Sequence, residues 1–377
     1  MTDRFELKRF RHVAFCGGGS GGHLTPAIAV AEKLLAGYPD VRVTFLTSAR
    51  EIDRVVLQRS SVGTDRRCTV IHLPIAQPPG FSLSGPLHLW TLWQSVMQCH
   101  RVLKHMRSGV MLGTGAFASV PGLIAAKWLR IPTILFEANT VTGRVNRWWA
   151  RYAAERLRAW PTAPSARDAE FRFVGMPVRS EVSGPKTTKL ASGVAGNRRI
   201  LIVGGSQGSG RVNELMGQAL PRLTLPDHWQ VLHQTGLNTG VGMPQEGDSQ
   251  VTTVGFINDL GSELSRASFV ISRAGAVTLG EIAATGCPSI LLPLSTAAEG
   301  HQRCNAEHFV TQGAAVLVDE TSPRAVDKLV IAMNRLVRSG TERIAMSKAA
   351  QSIHQPGAAD DIAKLLIELA DTSQPHD

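Results

Sequence analysis

Short runs of apolar and β-branched residues alternate along the chain with stretches whose apolar positions recur at helical spacing. "HVAFCGGG" leads into "TPAIAVAEKLLAGY", "VRVTFLTS" into "AREIDRVVLQRS", "GVMLGTGA" into "PGLIAAKWL", and "PTILFEA" into "GRVNRWWARYAA". Strand-then-helix order repeated in this way predicts a parallel sheet covered by helices on both faces. After "FVGMPVRSEV" the texture shifts to the Gly/Ser/Lys-rich "SGPKTTKLASGVAGN", which reads as a linker or loop. The alternation then restarts with "RRILIVGGSQG" and "GRVNELMGQALPRL", followed by "WQVLHQTG", "VTTVGFIN", "SFVISRAGAVTLGEIAATG" and "PSILLPLSTAAEGHQRCNAEHFVTQG". A last pattern, "ADDIAKLLIELAD", is an amphipathic helix. The expectation is two α/β halves, each opening on a strand that ends in a glycine turn. Ligands of open α/β sheets sit beyond the carboxyl ends of the strands. Two such halves facing each other would set both turns on opposite walls of one cleft.

A length of 377 residues suits two or three domains, and 43% apolar with 19% charged residues marks a folded chain. The five cysteines are scattered and never form a C-x-x-C pair, so a disulfide framework or zinc site is not expected and a reducing cytosol is. The start, "MTDRFELKRFRHVAF", has no apolar run of the secretory kind. A net charge of +10 favours anionic partners. No RNA-binding fingerprint or zinc-finger spacing accompanies it, so phosphate or a membrane surface is expected and nucleic acid is not. Between Cys68 and His100 there is no Asp, Glu, Lys or Arg, and prolines 74, 78, 79 and 86 leave only "LHLWTLWQSVM" as an unbroken apolar run. That is too short for a bilayer, which needs about 20 residues. Followed by Arg101, Lys104 and Arg107, it reads either as an interfacial helix with basic flanks or as a core helix with a polar last turn.

Four stretches carry candidate chemistry. Gly17–Gly22 precedes His23, and backbone N–H groups at a helix start suit phosphate or an oxyanion. A G-x-G-x-x-G pattern runs through Gly17, Gly19 and Gly22. The acid that a nicotinamide site wants at the next strand end is missing, because "VTFLTSAR" ends in Ser and Arg. His23 either caps and packs, or accepts a proton from a hydroxyl. Val203–Asn213, "VGGSQGSGRVN", is a second phosphate-type turn with the Ser206 hydroxyl in it, or simply a tight turn that needs glycine. In Ser272–Pro288, Glu281 either compensates a helix dipole or grips both hydroxyls of a ribose. "STAAEGHQRCNA" offers Gln302 and Asn305 to sugar hydroxyls, or is an exposed polar helix start. With no Asp-x-Asp unit, no metal is expected, and helix ends and arginine would stabilise a departing diphosphate.

The stretches "GGGSGGHLTPAIAVA", "GTGAFASVPGLIAA", "EANTVTGRVNR", "VGMPVR", "GGSQGSGRVN", "HQTG", "GFIND", "SRAGAVTLGEIAATGCPSILLP" and "AAEGHQRCNA", in this order, resemble the MurG family of glycosyltransferases over about residues 13 to 320. The resemblance implies the GT-B fold, α/β with two Rossmann-like domains whose parallel sheets face a central cleft. An acceptor- and membrane-side domain would cover 1–178, with a C-terminal helix at 357–372 packing back on it, and a donor-binding domain would cover 179–356. It further implies inverting transfer of GlcNAc from UDP-GlcNAc to the C4 hydroxyl of an undecaprenyl-linked acceptor (lipid I), forming lipid II. That reaction would run without cofactor or metal, at the cytoplasmic face of the bacterial inner membrane, on an anionic surface. By the match, His23 would be the base, with Ser20, Gly21 and Gly22 beside the donor. Asn139 would contact the transferred sugar, and Arg179 and Ser206 the diphosphate. Ile257 would pair with uracil through its backbone, and Gln302 would bind GlcNAc hydroxyls. Ala276, Val277, Thr278, Leu279, Gly280 and Glu281 would bracket the nucleotide, Glu281 on the ribose.

Some positions depart from the family pattern. Ser20 stands for Thr, Phe136 for His, Ala138 for Gln, Met176 for Asn and Gly300 for Asp, and "QPPGFSLSG" lacks the usual lysine of its loop. The alternative is therefore a related GT-B transferase using a UDP-sugar on a different lipid or small-molecule acceptor. A nucleotide-sugar-binding protein without turnover would have lost His23 or Glu281, and both are present.

Overall fold

The computed structural model describes residues 11–19, 21–75, 85–161, 171–179, 198–205, 208–236, 250–297 and 300–372. They fall into two units, one built from the residues up to Arg179 together with those from Gly357 on, the other from those of Ser180–Pro356.

In the first unit, β1 (Arg11–Cys16), β2 (Val41–Ser48), β3 (Cys68–Leu73), β4 (Val110–Gly113), β5 (Thr133–Glu137), β6 (Glu155–Arg158) and β7 (Arg172–Phe173) form one parallel sheet in the order β3-β2-β1-β4-β5-β6-β7. Both faces of β1 are buried, and Phe15 stacks on Phe45 of β2 at 4.8 Å. Such two-sided burial is why these strands read as near-continuous apolar runs. The connecting helices are α1 (Gly21–Gly37), α2 (Glu51–Gln58), α3 (Ser61–Thr64), α4 (Gly85–His105), α5 (Val120–Trp128) and α6 (Arg144–Trp149).

The second unit repeats the plan. Strands β8 (Arg198–Val203), β9 (Trp229–Gln234), β10 (Val251–Val254), β11 (Phe269–Ser272), β12 (Ser289–Leu291) and β13 (Ala315–Leu317) lie parallel in the order β10-β9-β8-β11-β12-β13. Its helices are α7 (Gly210–Ala219), α8 (Leu260–Arg266), α9 (Ala276–Thr285), α10 (His301–Thr311), α11 (Ala325–Arg338) and α12 (Gly340–Ile353). A core of Ile200, Ile202, Trp229, Phe269, Met333 and their neighbours fills it.

The last helix, α13 (Ala358–Thr372), belongs to the first unit and packs on α1, β1 and β4. Its Ile362, Ala363, Leu366 and Ala370 are buried, and Gly109 lets the Ala370 backbone approach. Ion pairs Arg11–Asp371 (2.7 Å) and Lys33–Asp360 (3.1 Å) close the rim. Among the described residues, no helix is long and apolar enough to cross a membrane.

In each sheet the connections reverse direction beside the first strand, between β1 and β4 and between β8 and β11. Those are the topological switch points at which doubly wound folds bind ligands. Both glycine turns lie there, after β1 and after β8.

Candidate active site

The first glycine turn is held from within the protein. Gly17 N–H donates to Leu46 O at 3.2 Å, and Gly19 N–H donates to Asp53 Oδ2 at 2.6 Å. Gly18 and Gly19 take φ of +130° and +86°, a region that glycine enters without steric cost. Helix α1 begins at Gly21, earlier than the "TPAIAVA" pattern suggests, so His23 stands in its first turn. The imidazole Nδ1 of His23 lies 3.0 Å from Thr114 O, just beyond β4. A carbonyl only accepts, so Nδ1 carries the proton and Nε2 holds the lone pair. This is the tautomer of a general base.

On the strand next to β4, Glu137 ends β5 and is buried. Its Oε1 accepts from Asn139 N (3.0 Å) and Nδ2 (3.2 Å), and its Oε2 from Gly143 N (2.8 Å) and Asn146 Nδ2 (2.9 Å). The loop carrying Asn139 is thus shaped by a carboxylate that the motif reading did not single out. Arg179 is half-buried at the end of this unit, its Nε without a hydrogen-bond partner among the described residues.

In the second unit, Gln234 at the end of β9 ties two loops together. Its Nε2 donates to Gly205 O at 2.7 Å and its Oε1 accepts from Ile257 N at 3.1 Å. The Ile257 N–H is therefore engaged within the protein. Helix α9 has Gly275 as N-cap with no side-chain cap and no acid in its first turn, so the positive end of its dipole is uncompensated locally. Ala276, Val277, Thr278, Leu279 and Gly280 form its opening turns, and Glu281 follows, buried, beyond the first turn. Dipole compensation falls off within one turn and does not account for Glu281. Gln302 Oε1 accepts from Leu294 N at 3.0 Å, at the start of α10.

Behind this loop set lies a buried ion pair. Arg273 Nη1 meets Glu320 Oε2 at 2.6 Å and Leu292 O at 3.0 Å, while Nη2 donates to Ser209 Oγ, the cap of α7, at 2.8 Å. Glu320 Oε1 in turn accepts from Ser295 N at 2.9 Å. The ends of β8, β11, β12 and β13 are joined through these two side chains. Neither was singled out in the sequence: each follows a strand end in a short loop, and only the fold brings the two, 47 positions apart, together.

Ser20, Ser206 and the 76–84 part of the acceptor-side loop lie outside the described residues. One correction concerns Asn305: it is buried and its Nδ2 donates to Ala274 O at 3.2 Å, so it braces the α9 turn from inside and does not offer that group to a sugar. A second concerns the first turn, whose Gly17 and Gly19 N–H groups face protein oxygens and not a phosphate. Phe136, Ala138 and Met176 are all buried, so apolar packing occupies these departures from the family pattern. Gly300 has φ +65°, a region open to Asp as well as Gly. Among the described residues, no three His, Cys, Asp or Glu side chains gather as a metal site.

Comparison with known proteins agrees with this geometry in both units. Residues 13–157 match the glycosyltransferase family 28 N-terminal domain, and residues 199–365 the glycosyltransferase family 28 C-terminal domain. The UDP-N-acetylglucosamine–N-acetylmuramyl-(pentapeptide) pyrophosphoryl-undecaprenol N-acetylglucosamine transferase of Marinobacter nauticus is 31% identical, aligned over 98% of this chain and 99% of its own. The protein of the same name from Syntrophotalea carbinolica is 34% identical over 93% of this chain and 96% of its own. The crystal structure of Acinetobacter baumannii MurG superposes with a TM-score of 0.72 at 25% identity, covering 95% of this chain and 99% of that one. The two parallel-sheet domains are those of a GT-B hexosyltransferase, and the chain belongs to glycosyltransferase family 28 and, within it, to the MurG enzymes.

Proposed function

We propose that the protein transfers GlcNAc from UDP-GlcNAc to the C4 hydroxyl of the muramyl sugar of an undecaprenyl-diphosphate-linked acceptor, with inversion, in peptidoglycan synthesis. The observation that carries the reading is the His23–Thr114 hydrogen bond, which leaves Nε2 basic at a sheet switch point. In this mechanism His23 Nε2 takes the proton of the acceptor hydroxyl as its oxygen attacks the anomeric carbon, and the bond to the UDP oxygen breaks on the opposite face. Charge then grows on the diphosphate. The open N-terminus of α9, Arg179 and Ser206 meet it, an electrostatic role that needs donors already in place. Glu281 holds the ribose, Ile257 the uracil, and Asn139 and Gln302 the GlcNAc hydroxyls, with Ser20, Gly21 and Gly22 beside the reacting groups. The first unit takes the acceptor and the second the donor.

The same reading sets the enzyme on the cytoplasmic face of the inner membrane as a peripheral protein. Leu89, Trp90 and Trp93 of α4 and Trp128 of α5 are each at least half exposed. Exposed Arg101 and Lys104 follow in the last turns of α4, Arg107 just beyond it, and exposed Lys127 and Arg130 flank Trp128 in the chain. Exposed aromatics with basic neighbours fit an anionic interface.

The deciding experiment measures labelled GlcNAc transfer from UDP-GlcNAc to a short-chain lipid I analogue, wild type beside His23→Ala. Product from the wild type and a loss of about 10²–10⁴ in the variant is the expected result for a general base. Tight UDP-GlcNAc binding without product would point to a different lipid or small-molecule acceptor.

A further inference from the structure

We infer that Arg50 and Asp53, at the start of α2, are positioning residues that clamp the first glycine turn in the shape from which His23 works, an inference that rests on the transferase reading above. Both polar groups of Gly19 are held by this one helix start. Its N–H donates to Asp53 Oδ2 at 2.6 Å, and its carbonyl accepts from Arg50 Nη1 at 2.8 Å. Asp53 is fully buried, and Oδ2 also accepts from the hydroxyls of Thr47 (3.2 Å) and Ser48 at the end of β2. The carboxylate is therefore fixed by the sheet and hands that position on to the turn.

The turn needs such a hold. Its glycines pay the largest conformational entropy of any residue on ordering, and two of them lie at positive φ where nothing in their own side chains can lock them. A Cβ on Gly18 would run into Thr47 Oγ1 and the Asp53 carboxyl, so turn and carboxylate meet with no room between them. On the far side of the turn, Thr114 O fixes the His23 ring and Thr114 N–H donates to Cys16 O at 3.0 Å. The base is thus held by β4 on one flank, and the backbone leading to it by α2 on the other. A protein carboxylate occupies the place that a bound anion takes in a phosphate-type turn. The Gly19 N–H serves to position and not to bind substrate phosphate.

The test compares full-length wild type with Arg50→Ala, Asp53→Ala and Asp53→Asn, and with Ser60→Ala as a stability control. Ser60 caps α3, away from the turn. Two readouts are taken: kcat and KM for each substrate, and the 15N spectrum of the His23 imidazole. Arg50→Ala is expected to lower kcat ~10-fold and Asp53→Ala ~10²-fold, the scale set by small misplacements of a catalytic group. The KM for UDP-GlcNAc stays within about 2-fold, as for a loss confined to the transition state, and the His23 signals shift in both variants. Asp53→Asn, which keeps an acceptor oxygen for Gly19, recovers most of kcat, and Ser60→Ala lowers the melting temperature without either change. Wild-type kcat and an unshifted His23 spectrum in Arg50→Ala would overturn the clamp. That exposed variant decides the matter even if Asp53→Ala fails to fold. If the wild type does not transfer GlcNAc at all, the transferase reading fails instead. The His23 spectrum then decides the clamp alone, a shift supporting it and no shift ending it.

Discussion

Gly17 and Thr114 sit so close that a single added carbon on Gly17 would fall well inside contact distance of Thr114 Oγ1. The relationship matters because the carbonyl of the same threonine orients His23 at 3.0 Å. Gly17→Ala therefore cannot be absorbed without rotating or displacing Thr114. Overpacking of this kind costs about 1–3 kcal/mol, and here the displaced residue is the one that sets the imidazole tautomer. Activity is expected to fall at least ~10-fold, more than the loss of folded protein accounts for. Adding Thr114→Ala removes the clashing hydroxyl and leaves the backbone carbonyl, so the double variant should regain most of kcat. Coupling of this sign in a double-mutant cycle is the signature of a shared contact. Additive losses would mean that Gly17 matters for some other reason.

Gln234 offers a separate handle on the donor side. Its amide joins Gly205 O and Ile257 N–H, and Gln234→Leu leaves the buried Ile257 N–H unpaired at a cost of roughly 1–3 kcal/mol, while the Gly205 carbonyl keeps only the Gly208 N–H. The second glycine turn and the loop proposed to meet uracil would then lose their common brace. UDP affinity by titration calorimetry should drop ~10-fold, with KM for UDP-GlcNAc rising in step and kcat little changed, as for uniform binding. Unchanged UDP affinity in a folded variant would remove Gln234 from the donor site.

The alternation of β runs and helical runs made the two parallel sheets legible, because strands buried on both faces keep an apolar, β-branched texture that survives without any tertiary information. The glycine turns were legible for a similar reason, since positive φ at Gly18, Gly19 and Gly205 leaves a compositional mark. What holds the turns was not. Asp53 stands in the first turn of an amphipathic helix, where an acid usually signals nothing beyond the dipole. Its partner Gly19 lies 34 positions away, and only the fold brings them together. Asn305 misled in the opposite direction. A polar residue near a helix start looked available for sugar, but an i-to-i+31 contact turns its amide inward to Ala274. The exposed aromatic patch was half visible: α4 showed its tryptophans in one run, whereas Trp128 joins it from α5, which packs against α4.

Acid should weaken each unit through one buried histidine. Burial, aided by the positive charge of Arg42, pushes His12 down from 6.5 to about 4, and burial does the same to His233. Both are neutral in the folded protein, His12 between Ser108 Oγ (2.8 Å) and Thr44 Oγ1 (3.0 Å), and His233 Nε2 against Asn213 Oδ1 (3.1 Å). Unfolding therefore takes up a proton at each once the pH is below the unfolded value near 6.5. Stability is full above that pH and falls toward pH 4 by about 1.4 kcal/mol per pH unit for each group. Thermal midpoints at pH 7.5 and pH 5 should separate by several degrees in the wild type. In His12→Gln with His233→Gln the midpoint at pH 7.5 drops, and the gap between the two pH values narrows. An equally steep dependence in that double variant would assign the acid sensitivity to other groups.

The proposed membrane attachment can be dissected into its apolar and electrostatic parts. Trp93 and Trp128 meet edge to face at 6.0 Å, and Lys127 Nζ stands 3.4 Å over the ring of exposed Tyr152, so aromatic and basic groups interleave on one surface of the first unit. An interface helix draws on both: buried apolar area for any bilayer, and basic residues for an anionic one. At about 1 kcal/mol for each Lys or Arg near an anionic surface, replacing Arg101, Lys104 and Lys127 by Gln should weaken binding to phosphatidylglycerol-containing vesicles ~10²-fold. The same replacements should leave the weak binding to neutral vesicles unchanged. Trp90→Ala with Trp93→Ala should lower both. Flotation at two salt concentrations separates the parts further, because screening over a Debye length of about 10 Å at 0.1 M acts on the basic groups alone. If the tryptophan variant floats as well as the wild type with both vesicle types, this face is not the one that meets lipid.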